Sequence, residues 1–213
     1  MGAIKLKHTS GNGTILNSPA ANPSSDITLK LPSTTGSAGQ VLKVASANHS
    51  STNAELEFAA GGKFASYAII CDQKASGTDA GTFTQDAWRT RDLNTEIVDD
   101  DGIVSISSNQ FTLQAGTYKI YASAPAYLVK EHQIKLYNVT DSADVSFGVP
   151  QYSSDAMRVT QNSELYDRVT IGAAKTFEIR HYGELTKTNN GFGVPTNFGN
   201  VVKYLIVEIY KEV

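Results

Sequence analysis

The chain has 213 residues, of which 40% are apolar and 18% charged, and carries a net charge of −3. That balance, with no dense Lys/Arg cluster, argues against a nucleic-acid-binding stripe, and no run of about 18 apolar residues exists to cross a membrane as a helix. The N-terminal MGAIKLKHTSGNG lacks the apolar core of a signal peptide, and its Met-Gly start is a weak myristoylation signal beside the strand pattern of Ile4 to Lys7.

The first 62 residues consist of short alternating segments separated by Ser, Thr, Asn, Gly and Pro: Ile4 to Lys7, Thr14 to Leu16, Ile27 to Leu31, Val41 to Val44 and Glu55 to Phe58. Each has the length of a minimal strand bounded by turn residues. Aromatic residues are nearly absent before Phe58, and a stretch so poor in large apolar groups does not build a core alone. An extended arm of short strands that packs against other chains is therefore expected over residues 1–62.

From Lys63 the pattern changes. Strands are predicted at Phe64 to Cys71, Ala87 to Arg91 around the single Trp88, Ile103 to Ser107, Gln110 to Gln114, Thr117 to Leu128, His132 to Val139, Leu165 to Ile171, Thr176 to Tyr182 and Val201 to Lys211. Turn signals separate them at Asp99-Asp100-Asp101-Gly102, Ala115-Gly116, Thr140-Asp141-Ser142 and Ile171-Gly172-Ala173-Ala174. The ten Tyr and eight Phe suit strands, and no amphipathic helix of ten residues is evident. Strands at this spacing define an all-β sandwich or barrel over residues 63–213.

The predicted strands are of two kinds. Ile134 and Leu136 oppose Gln133 and Lys135, Phe177 and Ile179 oppose Thr176, Glu178 and Arg180, and Leu165, Val169 and Ile171 oppose Glu164, Arg168 and Thr170; such strands cover a core and meet water. Three others are apolar or aromatic on both faces. They are Phe64 to Cys71 (Ala68, Ile70 against Tyr67, Ile69, Cys71), Thr117 to Leu128 (Tyr118, Ile120, Ala122, Ala124 against Tyr121, Tyr127) and the last strand (Val202, Tyr204, Ile206, Tyr210 against Leu205, Val207, Ile209). A second apolar face needs a second partner, and the economical one is another copy of the chain. Tyr67, Ile69, Tyr118, Tyr121, Tyr204, Ile206 and Tyr210 are the candidate interface residues.

QFTLQAGTYKIYASA (Gln110 to Ala124), ELYDRVTIGAAKTFEIRHYGE (Glu164 to Glu184) and the ending VVKYLIVEIY resemble, in order and spacing, the trimeric jelly roll of complement-type globular heads and the tumour-necrosis-factor superfamily. The resemblance implies an antiparallel jelly-roll head with first and last strands near the axis of a homotrimer. LPSTTGSAGQVLKVASANHSSTNAELEFA (Leu31 to Ala59) resembles the neck of bacteriophage tail fibres and related virion appendages. That implies a virion surface protein, made in a host cytoplasm, whose arm attaches to other virion proteins and whose distal head meets a host-surface glycan or protein. No long shaft or virion-anchoring domain is recognisable, which leaves tail, fibre network and capsid surface all open as the attachment point.

Chemistry-bearing motifs are few. Asp99-Asp100-Asp101-Gly102 lacks the spaced oxygen ligands of a calcium loop and reads as a solvated turn. His8, His49, His132 and His181 are scattered without metal spacing, and Glu131 and His132, adjacent on a strand, point to opposite faces. Glu164, Asp167, Glu178 and Glu184 are the carboxylates available for glycoside cleavage, but most fall on water-facing positions. No nucleophile elbow, phosphate loop or dinucleotide fingerprint occurs. The lone Cys71 lies in an apolar run and is expected to be a buried thiol. Asn12, Asn48 and Asn138 match the glycosylation pattern, which is frequent by chance. No enzyme activity, cofactor or metal is expected. Two Gly-Val-Pro segments, Ser146 to Met157 and Lys187 to Asn200, read as long recognition loops, with Phe147, Tyr152, Asn189, Asn190, Phe192 and Phe198 as candidate receptor contacts. The reading with no receptor role is a capsid decoration or head fibre; the catalytic rival is a polysaccharide-cleaving appendage.

Overall fold

Alternating side chains and closely spaced turns leave the backbone one economical way to pair its polar groups, the antiparallel ladder. The computed structural model describes residues 3–7, 13–17, 28–37, 39–45, 50, 53–62 and 64–212, and among them every regular element is a strand. The chain divides into two compact units, Met1–Gly61 and Gly62–Val213.

The first unit contains a hairpin of β1 (Ala3–Lys7) and β2 (Gly13–Asn17) and a three-stranded sheet in the order β3 (Thr28–Lys30), β5 (Asn53–Ala60), β4 (Gln40–Val44). β3 runs parallel to β5 and β4 antiparallel to it. None of the described side chains of this unit is buried; Leu29, Val41, Leu42 and Val44 are exposed and Leu31 is 76% exposed. The loop before β4 closes over Phe58, whose ring lies against Gly36. His8, His49, Asn12 and Asn48 lie outside the described residues.

The second unit is a two-sheet sandwich. One sheet has the order β15 (Thr160–Ile171), β11 (Gly116–Tyr127), β17 (Val202–Glu212), β6 (Phe64–Lys74), β8 (Thr95–Val98). The other has the order β13 (Ala143–Phe147), β12 (Lys130–Asn138), β16 (Lys175–Gly183), β10 (Gln110–Leu113), β9 (Val104–Ser107), with β14 (Gln151–Ser153) on β12 and β7 (Arg89–Thr90) on β16. With the short β7, β8, β9 and β14 set aside, the remaining eight strands of this unit, counted in chain order, place the sixth, third, eighth and first in one sheet and the fifth, fourth, seventh and second in the other. That order is a jelly roll, a long hairpin wrapped on itself. Between the sheets, Ile120, Ala122, Leu205, Val207 and Ile209 meet Phe111, Leu113, Ile134, Leu136, Phe177 and Ile179, all buried. Phe111 and Phe177 stack with ring centroids 5.7 Å apart.

Three elements were not expected from the sequence. β8, β13 and β14 are short edge strands held by backbone pairing to one neighbour each; with few apolar residues they leave no period to read. β13 and β14 occupy much of the segment expected as a recognition loop. The strand expected around Trp88 reduces to Arg89–Thr90, and β15 begins at Thr160 rather than Leu165. Phe111→Ala removes a stacked ring from a close-packed interior and is expected to cost about 3–5 kcal/mol, read as a lowered midpoint in urea unfolding of the chain.

Candidate functional site

Register places one row of side chains on the outside of the β15-β11-β17-β6-β8 sheet: Tyr166, Tyr121, Glu208 and Ile69 pair in succession. The next row is Arg168, Lys119, Tyr210 and Tyr67, and Phe64 follows opposite Glu212. Tyr121 and Tyr166 lie 4.7 Å apart, Phe64 and Tyr210 5.4 Å, and Tyr67 and Tyr210 6.1 Å, between ring centroids. Three of the four phenols are satisfied within the subunit. Tyr121 and Tyr166 donate to the two Glu164 oxygens at 3.1 and 3.2 Å, and Tyr210 donates to Glu208 at 2.8 Å, which holds its hydroxyl pKa up. Arg168 forks onto Glu212 at 2.8 and 2.7 Å. With the polar ends tied down, what this face offers outward is ring surface; Tyr166 is 62% exposed.

Of the seven residues expected on this face, Tyr67, Ile69, Tyr121, Ile206 and Tyr210 are on it and Tyr118 and Tyr204 are not. Tyr118 is buried among Ile120, Ala122 and the opposite sheet, its hydroxyl donating to the Gln114 carbonyl; it shares the inward parity of Ile120 and not the outward parity of Tyr121. Tyr204 is displaced by a bulge. The β17–β6 register shifts between Lys203 and Ile206, so Tyr204 turns inward beside Val202, donates to the Thr78 carbonyl at 2.7 Å and joins a second small core with Phe83, Val129 and Phe192. An extra residue in a ladder reverses parity, and nothing in VVKYLIVEIY marks where it falls. Tyr166 and Phe64 were missed because they lie at a strand middle read as polar and at a strand start.

On the outside of the other sheet, Lys135 is sunk beneath rings. Its Nζ lies 4.3 Å from the Trp88 centroid, 5.5 Å from Tyr137 and 5.8 Å from Phe147, and pairs with Asp144 at 2.5 Å. Beside it, a cleft of about 300 Å³ is lined by Trp88, Glu131, His132, Gln133, Pro150, Tyr182 and Glu184. Tyr152 lines a second hollow sharing Glu131 and Pro150, and Phe147 packs 5.9 Å from Trp88. Phe147 and Tyr152, exposed on β13 and β14 instead of a loop, therefore flank this cleft. Trp88 and Tyr182 were not foreseen as site residues; the one tryptophan in a hydroxyl-rich chain was the available signal. Phe64 pairs with Glu212 and Tyr118 with Lys211 at one end of the sandwich, while Tyr127 pairs with Thr160 and leads into β12 at the other. The cleft is thus at the end opposite Phe64.

The second expected loop divides. Phe198 is 83% exposed and Asn189 is exposed, but Asn190 is half-buried and Phe192 buried. Arg91, fully buried, holds this segment from beneath: it donates to the Pro125 carbonyl at 2.9 Å and the Phe192 carbonyl at 3.0 Å, under the Phe192 ring at 4.3 Å. Gly191 sits where any Cβ would meet Phe83 at 2.5 Å. Phe192 accordingly pins the loop, its ring turned into the interior.

Arg91 also reaches His181 Nδ1 at 3.3 Å, and His181 Nε2 lies 3.0 Å from His132 Nδ1. A guanidinium only donates, so His181 accepts at Nδ1, donates from Nε2, and leaves the His132 proton on Nε2, which has no partner among the described residues. Burial first, then Arg91, lowers the His132 pKa to about 4 and that of His181 well below the ordinary value; burial lowers Arg91 to about 10. The sequence kept these histidines apart; the fold joins them beside a buried cation.

The remaining motifs resolve into structure. Both Asp99 oxygens accept backbone N–H groups, of Ile103 at 2.8 Å and Val104 at 2.9 Å, so the Asp-Asp-Asp-Gly segment is a capped turn. Glu164 and Asp167 fall on opposite faces of β15, and Glu178 belongs to the other sheet, bound to Arg180 and Gln110. Cys71 is buried, and burial pushes its thiol up.

No family model matches the chain, and no curated protein matches it. Among solved structures, the globular domain of zebrafish complement 1qA protein aligns at 12% identity and a TM-score of 0.42, covering 68% of this chain and 94% of that one. Murine APRIL at pH 8.0 aligns at 7% identity and a TM-score of 0.43, covering 68% and 98%. The jelly roll of this chain stands on its own strand order.

Because His132 and His181 are held neutral, the unfolded chain binds protons first as pH falls. Stability is expected to be highest above about pH 6.5 and to fall toward pH 4, with about 3 kcal/mol of the loss from His132 alone and His181 adding to it. Thermal melts between pH 7.5 and 4.5 read the slope, and His181→Phe is expected to flatten it.

Proposed function

We propose that this chain is a structural fibre protein of a virion, tail-fibre-like, in which three copies assemble through the outer face of the β15-β11-β17-β6-β8 sheet. The observation that carries the reading is that face: Phe64, Tyr67, Tyr121, Tyr166 and Tyr210 form a band of rings, and the hydroxyls of Tyr121, Tyr166 and Tyr210 are already bonded inside the subunit. Contiguous ring surface of this kind marks an interaction site on a soluble protein, and a rotationally closed arrangement of copies covers it without leaving a free edge. The virion and host-binding parts of the proposal rest on the likeness of Leu31 to Ala59 to phage fibre necks. The arm of 1–62 attaches to other virion proteins; its three-stranded sheet, with Leu31, Val41, Leu42 and Val44 open, has core to gain from neighbouring chains. The head of 63–213 is the displayed, non-catalytic part and binds a host-surface receptor or glycan, with three weak sites gaining avidity together.

Light scattering of the full chain is expected to give three times the 22.8 kDa chain mass. The double variant Tyr67→Lys/Tyr210→Lys, which puts like charges on the proposed interface and leaves the interior untouched, is expected to give a folded monomer. A folded wild-type monomer at all concentrations overturns the assembly.

A further inference from the structure

We propose that the cleft between Trp88 and Tyr182 is a binding site for an organic ammonium group. This deepens the reading of the head as a recognition module and rests on it. The cleft's chemistry is one-sided. Trp88 and Tyr182, 5.6 Å apart between centroids, offer aromatic surface with Pro150. Glu131 and Glu184 are exposed carboxylates, neither of them in an ion pair or side-chain hydrogen bond among the described residues. Gln133 spends its amide N–H on the Gly148 carbonyl at 2.6 Å, which leaves its oxygen to the cleft. No lysine or arginine lines the cleft, and its one histidine, His132, has its pKa lowered to about 4. The cations nearby are engaged elsewhere: Lys135 with Asp144, Lys130 with Asp155, Arg180 with Glu178, and Arg89 with the Thr84 carbonyl.

Acceptors and ring faces with no cation among the lining residues disfavour phosphates, sulfates and uronic acids and complement a positively charged group. Rings attract such a group through their quadrupole, and carboxylates through their charge. The chain demonstrates this chemistry alongside: Lys135 occupies the adjoining pocket of Trp88, Tyr137 and Phe147 with one carboxylate beside it. The cleft repeats that arrangement with two carboxylates and opens to solvent at the end of the sandwich opposite Phe64. A volume of about 300 Å³ suits a headgroup rather than an oligomer. Quaternary ammonium groups on surface polymers and primary amines on proteins or amino sugars share this chemistry.

Trp88 is the only tryptophan, so intrinsic fluorescence reports on the cleft directly. The full-length protein is titrated with choline chloride, lysine amide and glucosamine, with N-acetylglucosamine as the neutral control and acetate as the anionic one. A saturable change is expected with at least one ammonium and with neither control, at a Kd in the millimolar range; whichever of the three binds tightest identifies the source. Glu131→Gln/Glu184→Gln, at exposed positions that leave the fold intact, is expected to weaken binding about tenfold. No saturation by any ammonium up to ~100 mM overturns the proposal, as does an equal response to N-acetylglucosamine or an affinity unchanged in the double variant. Light scattering of the same samples separates the two readings: a trimer that ignores ammonium ions refutes this site alone, and a monomer that binds them refutes the assembly alone.

Discussion

The ladder between β6 and β17 organises the head. Residues 64–74 and 202–212, at opposite ends of the head's sequence, lie side by side, and β17 is bonded to β11 on its other edge. The sheet therefore closes only when the last strand is in place, and its core row of Leu205, Val207 and Ile209 completes the floor under Phe111 and Phe177. The same ladder brings Tyr210 beside Tyr67 and Phe64 on the outside. Inner packing and outer aromatic band are two faces of one register, and a slip by one residue would exchange them.

That dependence explains how much was legible in advance. The strict alternation of Gln133 to Leu136 and Thr176 to Arg180 fixed those strands, their inward residues and the sandwich. The excess of rings on the first, central and last strands pointed to a ring-bearing outer face, and Tyr67, Tyr121 and Tyr210 lie together on that side of the sheet. What escaped was set by long-range pairing. The bulge that turns Tyr204 inward exists only because Lys203 and Ile206 oppose a particular stretch of β6. Alternation alone set Tyr118 beside Ile120 and opposite Tyr121, but with apolar groups on both faces of β11 only its pairing with Val169 and Lys211 decides which face turns inward. β13 and β14 take their conformation from β12, and their own residues carry no period.

The interior also holds polar chemistry that no local pattern announces. Arg91, His181 and His132 come from the segment after β7, from β16 and from β12 respectively, and meet only in the folded chain. The cluster replaces apolar packing at one end of the sandwich with directed bonds to the carbonyls of Pro125 and Phe192. Those bonds fix the course of the 187–200 segment, so that a stretch with the composition of a mobile loop is anchored at Phe192 while Phe198 stays out in solvent. Burial lowers the pKa of both imidazoles, so the anchor works best where they are uncharged.

Phe64 and the Trp88 cleft at opposite ends of the sandwich define a direction through the molecule. A pull applied at the cleft and resisted at residue 64 runs along β6, and the bonds joining β6 to β17 cross that line at right angles. They then carry the load side by side, each taking a fraction, instead of parting in sequence as they would if Phe64 and Glu212 were drawn away from one another. The strand order that closes the core thus also sets the β6–β17 bonds across the line from residue 64 to the cleft, the orientation in which they share a load.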